Sequence, residues 1–100
     1  MAQVALTPRH PDRIDALLDD VTQAWDGLAL VAREWSTWDE GSQLAYFLNW
    51  GATQDRMAEL RRDLDMGRLS QAQRRRFVQV DRVAADSGPI VERLFAAVRA

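Results

Sequence analysis

The sequence predicts an all-α protein, an antiparallel four- to five-helix bundle with a long first helix. Three observations predict it. Apolar residues recur at spacings of three and four along most of the chain, the period of an amphipathic helix. Sustained alternation bounded by hairpin turns, the mark of a strand, is absent. The interruptions are short and carry helix-capping residues, and short connections favour antiparallel neighbours.

The first helix is expected from about Pro11 to Ser36. Proline suits the first helical position, where its missing N–H has no partner to lose. Ile14, Leu17, Val21, Ala24, Leu28, Val31, Trp35 and Trp38 mark its core face, widened by Leu18, Trp25 and Ala32. Such a helix spans roughly 39 Å. Gly27 lies inside it at a cost of about 1 kcal/mol relative to alanine.

Ser36 and Thr37 break the pattern. Each has an acid three residues on, Asp39 and Glu40, so either can open a capping box. A short second helix then runs to about Asn49, and Trp50-Gly51-Ala52-Thr53 reads as a bend. Thr53 is the expected cap of a third helix through Met66, closed by Gly67. Its inward face is Met57, Leu60 and Leu64. Ser70, with Gln73 in the capping-box position, opens a fourth helix whose inward face is Phe77, Val80 and Ala84. Ser87-Gly88-Pro89 is read as an interruption before a last helix burying Ile90, Val91, Leu94, Phe95 and Val98.

One hundred residues make one helical domain, with residues 1–10 as a flexible N-terminal arm. The chain has no cysteine and a single histidine, His10, so neither a disulfide framework nor a zinc or iron site is expected, and no cofactor. No apolar run approaches a membrane span. The first residues lack a signal-peptide pattern, and a cytoplasmic location is expected. Catalysis has little support. The serines stand at helix starts, no triad is in view and there is no glycine-rich phosphate loop.

Charge is uneven. All 13 basic residues are arginine. Residues 1–50 carry net −5, residues 51–82 net +3, and the remainder balance, giving −2 overall. An acidic half followed by a basic hairpin predicts self-complementarity, within one chain or between two. Asp12, Asp15, Asp19 and Asp26 project on one side of the first helix, either as a solvated face or as a docking strip for arginines.

Residues 35–50 hold five of the eight aromatic side chains: Trp35, Trp38, Tyr46, Phe47 and Trp50. On a helical projection Leu44, Phe47 and Leu48 share one face, and Tyr46 and Trp50 nearly the opposite one. Apolar surface on two sides means burial by the domain itself or contact with a partner. Tryptophan and tyrosine are frequent interface anchors. Tyr46 and Trp50, flanked by Trp38, are therefore the candidate partner interface. A small molecule held within the same aromatic cluster is a further reading.

Arg74-Arg75-Arg76 is the strongest basic run. Arg74, Arg75 and Arg82 are the candidate residues for an alternative nucleic-acid-binding role. The net charge of −2 and the interleaved Asp55, Glu59, Asp63 and Asp65 favour surface ion pairing instead, as in Glu59–Arg62 and Arg61–Asp65. The segment Met66-Gly67-Arg68-Leu69-Ser70 has the glycine and serine of a helix-turn-helix. Asp63 and Gln73, however, stand where that motif needs small or apolar residues. Trp25-Asp26-Gly27 matches the Trp-X-Gly signature of small helical secretion-system proteins. That motif sits in the turn of a hairpin, whereas Trp25 lies mid-helix here, so the resemblance is set aside.

The function expected is that of a small helical interaction, adaptor or regulatory protein that is not an enzyme. Its partner is a protein, with a second copy of itself the first candidate.

Overall fold

In the computed structural model the described residues are 10–99, with side chains at all of these but 10–12, 97 and 99. The expected N-terminal arm lies outside the described residues, except for His10, which opens the first helix. Three helices follow one another: α1 His10–Glu34, α2 Glu40–Asp65 and α3 Gln71–Arg99. A single 3-10 turn, Trp35–Thr37, joins the first two. The all-α class stands, and there is no strand among the described residues. The helix number is three rather than four or five.

Long-range contacts fix the topology. Arg13 pairs with Glu59 and Asp63, Asp20 with Arg56, and Trp25 meets Trp50. One partner's number rises as the other's falls, so α1 and α2 are antiparallel. Arg61–Asp81 and Phe47–Phe95 give the same relation for α2 and α3. Gln73 reaches Asp15 and Arg76 reaches Asp19, numbers that rise together, so α3 runs parallel to α1. The result is an up-down-up bundle 48 Å long.

Both extra breaks expected from the sequence are absent, for definable reasons. Trp50-Gly51-Ala52-Thr53 is helical, and Trp50 and Thr53 are buried. The inward stripe of α2 runs Gln43, Tyr46, Trp50, Thr53, Met57, Leu60 and Leu64 without a slip, the three-four spacing of a single helix. Against that stripe the glycine costs only about 1 kcal/mol. Ser87-Gly88-Pro89 is likewise inside α3. Pro89 cannot donate to the Ala85 carbonyl, but both residues are exposed and water can satisfy that oxygen. The apolar face continues through it from Phe77, Val80 and Ala84 to Val91, Leu94 and Phe95.

The ends are capped locally. Asp39, not Ser36 or Thr37, is the cap of α2. Its carboxylate accepts from the Ser42 amide at 2.6 Å, and that bond holds its carboxyl below the usual value. The Thr37 hydroxyl instead donates back to the Glu34 carbonyl at 2.6 Å. At the other end of α2, Gly67 adopts φ 71°. Arg68 N–H donates to Asp63 C=O at 2.8 Å and Gly67 N–H to Leu64 C=O at 3.0 Å, a Schellman ending that requires the left-handed glycine. The expected capping box of α3 is complete. Gln73 N–H donates to Ser70 Oγ at 3.1 Å, and Ser70 N–H donates to Gln73 Oε1 at 2.9 Å.

The core runs the length of the bundle. Ile14, Leu18, Val21, Leu28, Leu60 and Phe77 are its most buried side chains. One end is polar beneath the surface. Asp63 is 2% exposed and accepts from Arg13 at 2.9 Å and from Arg68 at 3.2 Å. It thus ties α1 and the α2–α3 turn to α2. Burial pushes its carboxyl up, but the two guanidinium bonds and charges outweigh this and hold it below the usual value. Three acids of α1 are used within the chain. Asp15 accepts from Gln73 at 3.0 Å, Asp19 from Arg76 at 2.8 Å, and Asp20 faces Arg56 at 3.6 Å.

Candidate functional site

Seven of the chain's eight aromatic rings gather at the other end of the bundle. The 3-10 turn starts the assembly by bringing Trp35 and Trp38 to within 5.6 Å. Gln43 pins that turn to α2, its side-chain amide donating to the Trp35 carbonyl at 2.8 Å. Tyr46 then stands between Trp35 at 5.9 Å and Trp38 at 5.7 Å, with Trp50 one turn on at 5.9 Å. Two residues outside the 35–50 segment complete the cluster. Trp25 of α1 meets Trp50 edge to face at 4.9 Å. Phe95 of α3 lies 5.0 Å from Phe47 and 6.1 Å from Trp35, Tyr46 and Trp50.

Trp38, Tyr46 and Trp50 are therefore together, but not as one exposed surface. Trp50 is 5% exposed, closed in by Trp25 and Phe95. Tyr46 and Trp38 are half-buried, and burial pushes the Tyr46 hydroxyl pKa up. The indole nitrogens of Trp25 and Trp50 are buried without a hydrogen-bond acceptor. An orphan donor of this kind costs about 1–3 kcal/mol. The edge-to-face geometry, which sets a positive ring edge against a negative ring face, offsets part of it. Trp50 is covered from within the chain, by Trp25 of α1 and Phe95 of α3. Tyr46, packed on Trp35, Trp38 and Phe95, keeps part of its surface outside.

The face of α2 left outside is the other one. Leu44 and Leu48, at i and i+4, are 47% and 65% exposed. Gly41, Ala45, Gly51 and Ala52 surround them on the same side and are exposed as well. Residues 41–54 contain no charged side chain, the longest such stretch in the chain. The remaining exposed large apolar residues, Leu30, Met66, Val78 and Val83, lie on other elements. The positions 41, 44–45, 48 and 51–52 repeat every three or four residues, the seam of a helix that meets another helix. The uncharged run would have marked this face in the sequence. The assumed bend at residues 50–53 hid which side of α2 points in.

Arg74, Arg75 and Arg82 are exposed on the outer side of α3. Arg76 is turned away from them toward Asp19 of α1. Arg61 pairs with Asp81 at 2.8 Å, which raises the guanidinium pKa, and it lies 5.2 Å over the Phe77 ring. The local pairs expected from spacing give way to contacts between helices, because Glu59 faces Arg13 and Arg61 faces Asp81. The arginines of the α2–α3 hairpin thus divide into an inward set that fastens helices and an outward set on α3.

Between α2 and α3 runs an open groove of about 700 Å³, with Trp25 at its base and Met57, Ala58, Ala84, Gly88 and Val91 on its walls. Among the described residues no group of three or more acidic or histidine side chains is placed to hold a metal ion, and no helix is long and apolar enough to cross a membrane. No family model, no curated protein and no solved structure matches the chain.

Proposed function

We propose that this protein is a small helical interaction module that self-associates through the outer face of the first half of α2. What carries the reading is the exposed Leu44–Leu48 pair within the uncharged stretch 41–54. The outer surface elsewhere carries charges of both signs, so copies meeting there must align or desolvate them. On this face two copies meet with no like charges opposed, which suits the self-complementary contact of a two-fold dimer. The small residues beside the leucines let two helices approach closely.

Magnitudes set the strength. Burying four leucines that are each about half exposed gives roughly 4–6 kcal/mol, against an association cost of at least about 4 kcal/mol. The leucines alone therefore leave at most about 2 kcal/mol, so such a dimer is weak, forms only at about millimolar concentration or above, and dissociates on dilution. Trp50 supports the face from inside as core, and Trp38 and Tyr46 hold the adjoining turn in place.

The chain has no cysteine, so a single introduced thiol reports cleanly. Leu48→Cys treated with a short bis-maleimide should give a covalent dimer in high yield, and Val83→Cys on α3 should not. Equal yields from the two variants refute the assignment.

A further inference from the structure

The outer arginines of α3 form a surface separate from the α2 face. Arg75, Val78 and Arg82 follow one another at spacings of three and four, so they share one side of the helix. Arg74 and Gln79 flank them, and all five are exposed. The two outer arginines stand about 10.5 Å apart along the axis, two helical turns. Val78 between them is 52% exposed.

Five other arginines, Arg13, Arg56, Arg61, Arg68 and Arg76, are each within ion-pair distance of a carboxylate, while Arg33, Arg62 and Arg93, which lie outside the stripe, have no ion pair among the described residues. Arg74, Arg75 and Arg82 form no ion pair among the described residues, even though an acid, Asp86, follows Arg82 by one turn on the same side. Among the described residues none of the three has a carboxylate within ion-pair distance, and the apolar Val78 lies in their midst.

We propose that this stripe docks an acidic helical segment of a partner protein, with carboxylates seven residues apart on Arg75 and Arg82 and an apolar side chain between them on Val78. A guanidinium takes a carboxylate with two parallel hydrogen bonds, and the seven-residue spacing is that of one face of a partner helix. Duplex nucleic acid fits the stripe less well. It offers phosphates to the arginines but nothing to Val78, and the chain's net charge of −2 opposes a polyanion.

The test is a binding titration of the full chain against a labelled helical peptide. The peptide carries glutamates at positions i and i+7 with leucine between, and its control has the same composition with the glutamates consecutive. The spaced peptide should bind, and Arg75→Gln with Arg82→Gln should weaken it about tenfold, with unchanged circular dichroism. Binding should also weaken as salt rises. No binding, equal binding of the control, or binding untouched by the double variant overturns the proposal. Tighter binding of a duplex DNA of similar length overturns it in favour of a phosphate ligand.

Discussion

Trp25 meets Trp50 edge to face, with ring centroids 4.9 Å apart and planes at 84°. This contact joins the middle of α1 to the point on α2 where the sequence reads as a bend. It explains why the bend does not form. A tryptophan held on two sides, by Trp25 and Phe95, outweighs the preference of one glycine.

The contact makes Trp50 a core residue of the single chain. Trp50→Ala should lower unfolding free energy by about 3–5 kcal/mol, the range for removing a large buried aromatic side chain. Trp50→Phe should cost less, because it keeps a ring and removes an indole donor that lacks an acceptor. Urea unfolding followed by circular dichroism checks both. Equal losses would mean that the indole nitrogen is hydrogen-bonded after all.

Helix continuity has its own test. A Cβ added at Gly51 meets nothing within 4 Å, and the residue sits inside α2. Gly51→Ala should therefore stabilise by about 0.5–1 kcal/mol. Pro89→Ala, which restores a donor toward the Ala85 carbonyl, should stabilise by about 1 kcal/mol or more. A loss in either variant would place a turn where the helix is described.

Asp63 sets the acid response. Its carboxyl is lowered in the fold, so its contribution is complete above the unfolded value of about 4. The contribution is lost as pH falls through the lower folded value. Asp63→Asn should cost about 2–3 kcal/mol near neutral pH, the worth of hydrogen bonds to a charged group. It should also flatten the fall in stability below about pH 4. An unchanged pH profile would show that other carboxylates govern acid unfolding.

Much of the fold was legible in the sequence. The α1 core face, the Gly67 ending and the Ser70–Gln73 box all follow from local chemistry, which acts over a few residues. What was not legible depends on tertiary contact. Gly51 and the Gly88-Pro89 pair carry strong local breaking signals, and only the uninterrupted stripes from Gln43 to Leu64 and from Phe77 to Phe95 oppose them. The candidate site shifted for the same reason. With a break assumed at Trp50, the short helix before it had two apolar faces of equal standing. With one continuous helix, Tyr46 and Trp50 fall on the inner stripe and Leu44 and Leu48 are left outside. The roles of Trp25 and Phe95 arise from pairing between helices, which no spacing within one segment encodes.

The most direct test is the mass of the protein in solution, measured by light scattering over a concentration series for the wild type and for Leu44→Glu with Leu48→Glu. The wild type should move from the 11.4 kDa chain mass toward twice that value as concentration rises, while the double variant stays at the chain mass with its helical signal intact. A wild type that remains a monomer throughout, or a double variant that dimerises equally well, would contradict self-association through the outer face of α2.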